Sequence, residues 1–248
     1  MLAIIGGSGL TQLANLEVVR REVMRTPYGD PSGAITHGTI GGAAVAFLAR
    51  HGYGHTIPPH KVNYRANLWA LSQLDVKYIV SVASVGGIRA DLGPGTIAVP
   101  DQIIDYTHGR EFTYFHGTDR SVVHVDFTQP YCELLRQRLL RAADGAGEAV
   151  VTGGTYAATQ GPRLESAAEI DRLERDGAHM VGMTGMPEAA LARELGLCYA
   201  AVAVVVNHAA GRGDSATAIK LADINAVSRK AIARVHRIID HLVGLDGG

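Results

Sequence analysis

The sequence predicts an α/β fold in which a twisted, largely parallel central sheet is flanked by helices. Short runs rich in Val, Ile and Ala recur at residues 2–5, 43–48, 78–82, 96–99 and 199–206. None of these runs alternates cleanly between apolar and polar residues, which is typical of strands buried on both faces. Helical patterns lie between them, and strands that alternate with helices favour a parallel sheet with helices on both sides.

The helices are predicted over residues 61–73, 129–143, 164–175, 187–195 and 224–243. The first follows two prolines, and the fourth is followed by Gly196, which suits the left-handed residue that often ends a helix. The last has apolar residues at helical spacing along most of its length. Each strand is therefore expected to be joined to the next through a helix or a glycine-containing turn.

Length and composition indicate one folded domain over residues 1–248. The chain is 47% hydrophobic and 19% charged, which fits a compact protein with a large core and argues against disorder. No repeat, low-complexity tract or linker divides it. The polar, aromatic segment 107–128 is too long for an ordinary connection, so we expect it to be functional or packed on a partner.

Charge and cysteine content exclude several classes of protein. The formal net charge is −1 with no basic block, which argues against nucleic acid as a partner. The sequence shows neither a signal peptide nor an apolar run of about 18 residues, so we expect no membrane association. Cys132 and Cys198 are too few for a disulfide framework or a cysteine-based metal site, which predicts a reducing, cytoplasmic setting.

The residues that follow the strands are the best candidates for a ligand site, because ligands of such sheets bind beyond the carboxyl ends of the strands. Gly6-Gly7-Ser8-Gly9 follows the first run. Its glycines allow a close approach of the backbone to an anion, and Ser8 can donate to a phosphate oxygen. The segment matches neither the dinucleotide-binding fingerprint nor the P-loop. Taken alone, it is equally compatible with a tight turn.

Arg50 and His51 directly follow the second run and offer several donors suited to phosphate, although a surface charge pair is the simpler interpretation of two such residues alone. His51 and His55 also suggest zinc, but no cysteine or carboxylate completes a tetrahedral set. Thr184 precedes a helix start, where the helix dipole favours anions. Asn207 ends a strongly apolar run, where a buried amide must be hydrogen-bonded to protein or ligand.

The order of the motifs is more specific than any one of them. The chain contains, in sequence, Gly-Gly-Ser-Gly-Leu from residue 6, Arg-His-Gly from residue 50, Lys-Val-Asn-Tyr-Arg-Ala-Asn from residue 61, Gly86-Gly87, Gly161-Pro162-Arg163, and Met183-Thr184 with Pro187-Glu188. This order resembles that of the trimeric purine nucleoside phosphorylases, especially their methylthioadenosine phosphorylase branch. The likeness covers residues 3–207 and is weakest in the segment 107–128 and beyond residue 211.

The resemblance implies a nucleoside phosphorylase-like fold and a role for each matching residue. The phosphate site comprises the side chains of Ser8, Arg50, His51 and Thr184 and the backbone N–H of Ala83, where many relatives have threonine. Met183 lies beneath the ribose, and His124 covers the sugar pocket of a neighbouring subunit in a homotrimer. Inorganic phosphate is a co-substrate, and no metal or organic cofactor is expected.

Two positions bear on the base. The adenosine-type enzymes of the family usually have aspartate at the positions of Asn207 and Ala209, whereas Glu165 with Asn207 matches the phosphorylases of 6-oxopurines. A 6-oxopurine has a donor at N1 and an acceptor at O6, which suit a carboxylate and an amide respectively. Leu164 replaces the phenylalanine on which the base usually stacks.

The 5′ end of the sugar is the third specificity position. Purine nucleoside phosphorylases hold the 5′-hydroxyl with a histidine about fourteen residues beyond the position of Asn207, and here Ile219 and Leu221 lie in that region. An apolar wall leaves a hydroxyl unpaired but accepts a methylthio group. The resemblance therefore predicts phosphorolysis of 5′-methylthioinosine in purine salvage, with Asn207 and Glu165 acting on the base.

Three alternatives remain open at this point. The first is another substrate of the same family, either 5′-methylthioadenosine or a general inosine- or guanosine-type nucleoside. The second is a hydrolase that uses water on the same fold. The third is a nucleotide-binding α/β protein without catalytic activity.

Overall fold

Eleven strands form one mixed sheet in the computed structural model, which describes residues 1–116 and 121–245. They are β1 (Leu2–Gly6), β2 (Glu17–Glu22), β3 (Ile35–Ile40), β4 (Ala43–Ala49), β5 (Tyr78–Gly87), β6 (Ile97–Val99), β7 (Gln102–Asp105), β8 (Val151–Thr152), β9 (Thr155–Ala158), β10 (Met180–Gly182) and β11 (Cys198–His208). Five α-helices are described: α1 (Tyr64–Ser72), α2 (Glu133–Gly145), α3 (Ala167–Arg175), α4 (Gly185–Glu194) and α5 (Leu221–Gly244).

The centre of the sheet is parallel and its edges are mixed. Strand β1 lies between β4 and β5 and pairs with both in parallel, and β11 runs parallel to β5 along its whole length. The hairpin-connected strands β2 and β3 add antiparallel pairs at one edge, and β10 lies antiparallel to the end of β5. The predicted fold class is therefore confirmed, and the carboxyl ends of β1, β4, β5 and β11 meet at one edge.

Alternate residues of the central strands belong to two separate cores. In β1, Leu2 and Ile4 pack with the apolar faces of α2 and α5, whereas Ala3 and Ile5 pack with α1 and α4. Both faces of the sheet are thus covered by helices, which is why the central runs are largely apolar and show no alternation. The strands that the sequence did not reveal are the exposed edge strand β2, its neighbour β3, whose sequence contains Thr, His and Gly, and the strands β7, β8, β9 and β10, of two to four residues.

The start of α3 differs from the expectation in a way that affects the site. The helix was predicted over residues 164–175, but it begins at Ala167 because Ser166 caps it. The Ser166 side chain accepts from the Glu169 N–H, and the Glu169 carboxylate accepts from the Ser166 N–H. This capping box fixes the helix start. Leu164 and Glu165 consequently lie in the preceding loop, where both line a cavity.

The two cysteines are joined to each other. Cys132 immediately precedes α2, Cys198 opens β11, and a disulfide connects them across a Cα–Cα distance of 5.1 Å. One such bond is not the disulfide framework of a small secreted domain. The inference of a reducing setting, however, assumed that the two cysteines do not pair with each other, and they do. The predicted reducing, cytoplasmic setting therefore does not follow from these residues.

Candidate active site

Two adjoining cavities open at the edge where the central parallel strands end. The first, of about 310 Å³, is within the usual size range of small-molecule sites and is lined by Glu165 and Asn207. The second contains Arg50, His51 and Thr184. Ser8, Ser84 and Met183 line both cavities, so they mark the boundary between them. The structure thus brings the two predicted groups of residues together around one shared floor.

Arg50 lies beneath the second cavity and is completely buried. Its Nε and Nη2 donate to the two carboxylate oxygens of Glu188 at 2.6 and 2.9 Å, and Nη2 also contacts the Ser81 hydroxyl at 2.6 Å. Nη1 donates to the Val82 carbonyl at 3.0 Å. The paired donors expected for phosphate are therefore largely engaged by Glu188, and one Nη1 hydrogen remains for a ligand.

The ionisation of Arg50 follows from the same contacts. Burial alone would lower the pKa of Arg50, but the Glu188 carboxylate outweighs burial and raises that pKa above its ordinary value. Gly7 lies directly over this group: a Cβ at Gly7 would approach Arg50 Nη1 to 2.8 Å and the Val82 carbonyl oxygen to 2.5 Å. Only glycine leaves room for the first-strand loop to cover the guanidinium.

His51 is neutral and oriented. Its Nδ1 lies 2.8 Å from the carbonyl oxygen of Ile57, which cannot donate, so Nδ1 carries the hydrogen. Burial, followed by the nearby Arg50 charge, lowers the pKa of His51 to about 4. Near neutral pH its Nε2 is therefore an acceptor, where the sequence suggested another donor. A hydrogen phosphate ion, which carries a P–OH group, complements that acceptor.

The remaining residues of this cavity are small or polar. Thr184 is buried immediately before α4, and Ala83 lines the wall through β5. Ser8 Oγ lies 3.4 Å from His55 Nε2, and its carbonyl accepts from the Ser84 hydroxyl at 3.1 Å. Ser84 thus holds the glycine-rich loop against β5, a contact that the sequence did not indicate.

Asn207 reaches the first cavity because β11 is irregular at that point. The register between β11 and β5 shifts between Val205 and Asn207, so that Asn207 pairs with Gly86. A bulge of this kind redirects the side chains that follow it. Asn207 Nδ2 donates to the His208 carbonyl at 2.6 Å, which leaves one amide hydrogen and Oδ1 for a ligand. Buried Ala209 completes this wall.

Glu165 faces Asn207 from the loop before α3. Its Oε1 accepts from the Thr159 hydroxyl at 2.6 Å. Within the part of the chain that the structure describes, no donor is bound to Oε2, which leaves that oxygen to accept from a ligand. The half-exposed Leu164 lines the same cavity. Thr159 was not predicted as a site residue. The sequence shows only that it lies six residues before Glu165, which does not indicate a contact between them.

Met183 forms the shared floor of the two cavities. Gly161 has a φ of +59°, and a Cβ there would lie 2.4 Å from the Met183 sulfur. Glycine therefore lets the loop before Glu165 pass directly over the thioether. This contact fixes the depth of the floor between the two cavities.

The far end of the first cavity is only partly apolar. Ile219 and Ile224 line it, together with the polar side chains of Asn225, Ser228 and Arg229 from α5. Leu221 is the first residue of α5, and its side chain lies outside the part of the structure that is described. The expected apolar wall is thus present as Ile219, with Ile224 as an unpredicted second member and polar groups beside it.

His124 lies apart from both cavities. It is exposed in the segment 121–128, as are Val122 and Val123, and Phe112 is exposed earlier in the same connection. Residues 117–120 of the segment singled out from the sequence lie outside the described residues. The predicted contact of His124 with the sugar pocket of a neighbouring subunit stays a prediction.

Two further properties bear on the class of protein. No helix in residues 1–116 and 121–245 is long and apolar enough to cross a membrane. Over the same residues, no group of three or more His, Cys, Asp or Glu side chains is arranged to hold a metal ion.

Comparison with known proteins agrees with this geometry. The model of the phosphorylase superfamily matches residues 1–244. A protein of Pseudomonas syringae pv. tomato named "Probable S-methyl-5'-thioinosine phosphorylase" is 53% identical over 94% of each chain. The "6-oxopurine nucleoside phosphorylase" of Pyrococcus furiosus is 49% identical over 85% of this chain and 80% of its own. The methylthioadenosine phosphorylase of Schistosoma mansoni, solved in complex with adenine, has a TM-score of 0.94 at 33% identity and covers 99% of this chain and 91% of its own.

Proposed function

The chain belongs to the phosphorylase superfamily, and we propose that it cleaves 5′-methylthioinosine with inorganic phosphate to give hypoxanthine and 5-methylthioribose 1-phosphate. The observation that carries this proposal is the pairing of Glu165 with Asn207 across the first cavity. Glu165 has Oε1 bound to Thr159, which leaves Oε2 as an acceptor for the N1–H of a 6-oxopurine. The free Asn207 hydrogen can donate to O6 or N7.

Adenine fits this arrangement poorly. Its N1 is an acceptor, so the carboxylate of Glu165 would face a lone pair. A buried polar mismatch costs about 1–3 kcal/mol, and more when one group is charged. Sites built to hydrogen-bond one group can reject an analogue by about 10⁴-fold. The names of the relatives at 53% and 49% identity support the same preference for a 6-oxopurine.

The mechanism is a direct displacement at the anomeric carbon. The C1′–N9 bond breaks with its electron pair moving to the purine, and a phosphate oxygen forms the new bond to C1′ from the opposite face of the sugar. Ser8, Arg50, His51 and Thr184 hold the phosphate in the second cavity, below the floor at Met183. Positioning of the reactants and preorganised stabilisation of charge supply the rate enhancement.

The residues divide the developing charges between them. The sugar becomes positive as the bond breaks, and the phosphate dianion beneath it stabilises that charge. The purine becomes negative, and the Asn207 amide stabilises it at N7 or O6 while Glu165 holds N1–H. No step needs a metal or organic cofactor, so phosphate is the only co-substrate of the proposed reaction.

One observation favours a second candidate within the family. Asn225 and Ser228 lie at the same end of the cavity as Ile219 and Ile224, and can bind a 5′-hydroxyl. A general 6-oxopurine nucleoside phosphorylase acting on inosine is therefore the alternative. The two isoleucines favour the methylthio sugar, because an apolar group gains from contact with them and a hydroxyl does not.

The proposal includes a cytoplasmic homotrimer that acts in purine salvage. Phe112, Val122 and Val123 are exposed in the same connection as His124, and such exposed apolar residues support contact with another subunit. In the trimer, His124 of one subunit is proposed to cover the sugar bound by its neighbour. The cytoplasmic location stays a prediction.

A comparison of three nucleosides tests the proposed function. We expect kcat/KM to decrease in the order 5′-methylthioinosine, inosine, 5′-methylthioadenosine, and turnover to stop when phosphate is omitted. Liberated base is measured by chromatography, with and without phosphate. A preference for 5′-methylthioadenosine would contradict the role of Glu165, a preference for inosine would establish the alternative, and unchanged turnover without phosphate would indicate a hydrolase.

Thr159→Val tests how Glu165 is held. The change keeps the shape of the side chain but removes the hydroxyl that donates to Oε1. Hydrogen bonds to charged groups contribute about 1.5–3 kcal/mol, so we expect kcat/KM for 5′-methylthioinosine to fall by about 10–100-fold. Thr159→Ser retains the donor and is the matched control. Equal activity of the valine and serine variants would show that Glu165 does not depend on this contact.

A further inference from the structure

Arg110 is a buried arginine outside both cavities that the proposed mechanism does not use. It lies in the connection after β7 and is 9% exposed. Its guanidinium also lies over the ring of Tyr64, with 5.5 Å between Cζ and the ring centroid. The sequence predicts that the long connection is functional or packed on a partner, but it gives no indication of a role for Arg110 itself.

The guanidinium donates only to uncharged oxygens. Nη1 contacts the carbonyls of Met183 at 2.8 Å and Met186 at 2.7 Å. Nη2 contacts the carbonyls of Thr159 at 3.2 Å and Gln160 at 2.9 Å, and Nε contacts the Gln160 side-chain oxygen at 3.1 Å. Nη1 also lies 3.3 Å from the Tyr64 hydroxyl, so six contacts share the five N–H hydrogens of the group.

The four carbonyls belong to the segments that form the site. Met183 is the floor shared by the two cavities, and Met186 lies two residues after Thr184. Thr159 bears the hydroxyl that holds Glu165, and Gln160 begins the loop that carries Gly161 over Met183. The fork of one side chain thus sets the distance between the floor under the sugar and the loop that binds the base.

We propose that Arg110 is a positioning residue that holds the sugar floor at Met183 and the base loop at 159–165 in the geometry needed for cleavage. The inference rests on the proposed function for the assignment of sugar and base to these segments. A fixed planar fork suits this role, because a lysine in its place has one donor centre and cannot reach four carbonyls at once. Misplacement of reacting groups by about 1 Å costs about 10²-fold in rate.

The test is a comparison of Arg110→Lys with Arg136→Lys. Arg136 is the control because it is also buried and also donates to carbonyl oxygens, those of Pro100 at 2.8 Å and Val99 at 3.3 Å, but it lines neither cavity. It differs from Arg110 in that its Nη1 also pairs with the Glu133 carboxylate. We expect Arg110→Lys to lower kcat on 5′-methylthioinosine by about 100-fold and to raise KM for the nucleoside. The KM for phosphate should rise much less than the KM for the nucleoside, since Arg110 contacts the backbone on either side of Thr184 but none of the proposed phosphate ligands directly. Arg136→Lys should change the melting temperature alone.

A second readout separates positioning from general stability. The cavity left in Arg110→Ala can hold a guanidinium ion, so millimolar guanidinium chloride is expected to restore part of the activity lost in that variant. The same salt should not raise the activity of Arg136→Ala, where the arginine does not position the site. If Arg110→Lys and Arg110→Ala do not fold, Gln160→Leu removes the side-chain oxygen that accepts from Arg110 Nε and, at 3.2 Å, from the His108 N–H. We expect that variant to lower kcat by about 10-fold and to raise the KM for the nucleoside more than the KM for phosphate.

The outcomes distinguish this inference from the proposed function. Wild-type kinetics in Arg110→Lys, or equal loss of affinity for phosphate and nucleoside, overturns the positioning role while the wild-type reaction stands. If Arg110→Lys does not fold, wild-type kinetics in Gln160→Leu has the same meaning. Failure of the wild-type protein to cleave any purine nucleoside would overturn the proposed function, whatever the variants do.

Discussion

Asn207→Ala is expected to lower kcat on 5′-methylthioinosine by about 10²–10³-fold, the usual effect of removing one preorganised donor from a developing anion. The amide has one hydrogen bound to the His208 carbonyl and its other hydrogen free toward the base cavity. Its contribution grows as the C1′–N9 bond breaks, so KM should change much less than kcat. Steady-state kinetics on 5′-methylthioinosine and inosine, together with the melting temperature, measure the effect.

Asn225→Ala is the matched control, because Asn225 is an asparagine at the other end of the same cavity. We expect its kcat on 5′-methylthioinosine to stay within about threefold of wild type, since Asn225 lines the cavity from α5 and does not contact the leaving base; a contact with the 5′-hydroxyl would lower turnover of inosine alone. Asn207→Asp adds a test of base identity. A carboxylate cannot donate to O6, so the ratio of 5′-methylthioinosine to 5′-methylthioadenosine turnover should fall. Near wild-type turnover in Asn207→Ala would show that the amide does not act on the leaving group.

The central part of the fold could be predicted from sequence because burial of both faces of a strand determines its apolar sequence pattern. A strand covered on both faces must be apolar at most positions, and β1, β4, β5 and β11 are; the polar residues of β5 and β11, such as Ser81 and Asn207, bind buried partners or line the site. The edge strand β2 is exposed along nearly its whole length and carries charged residues, so its pattern resembles that of a loop. Strands of two or three residues, such as β8 and β10, are too short for any periodicity to appear.

The candidate site could be predicted to the extent that it consists of strand ends. Ser8 and Arg50 follow central strands and Asn207 lies at the end of one, and parallel strands bring their ends to one edge. Contacts between distant segments had no such signal. Thr159 and Arg110 act through hydrogen bonds set by loop geometry, and the sequence shows neither partner. Even at Arg50, sequence indicated the residue but not that its fork is directed at Glu188.

Glu188→Ala is expected to lower the free energy of unfolding by about 3–5 kcal/mol, because it leaves the charge of Arg50 buried without a partner. Both side chains are completely buried. Glu188 Oε1 also accepts from the hydroxyls of Ser81 at 2.7 Å and Tyr199 at 2.8 Å, so several donors lose their acceptor together. Urea unfolding followed by circular dichroism at one protein concentration measures the change. Asp91→Ala, which breaks the exposed pair of Asp91 with Arg89, should cost less than about 1 kcal/mol.

Removing both charges separates stability from function at this pair. Arg50→Met with Glu188→Leu replaces the ion pair by apolar side chains of similar size, and such replacements are often neutral for stability. We therefore expect the double variant to recover most of the stability lost in Glu188→Ala, short of wild type because the Ser81 and Tyr199 hydroxyls still lack their acceptor. It should nevertheless bind phosphate weakly, because the free Nη1 hydrogen beneath the second cavity is gone. A double variant as unstable as Glu188→Ala would mean that packing, and not charge, sets the cost. A stable double variant with wild-type affinity for phosphate would instead show that the buried pair shapes the cavity without contacting the anion. Arg50 lies below the cavity and is held by Glu188. This position predicts that the double variant recovers stability but loses affinity for phosphate.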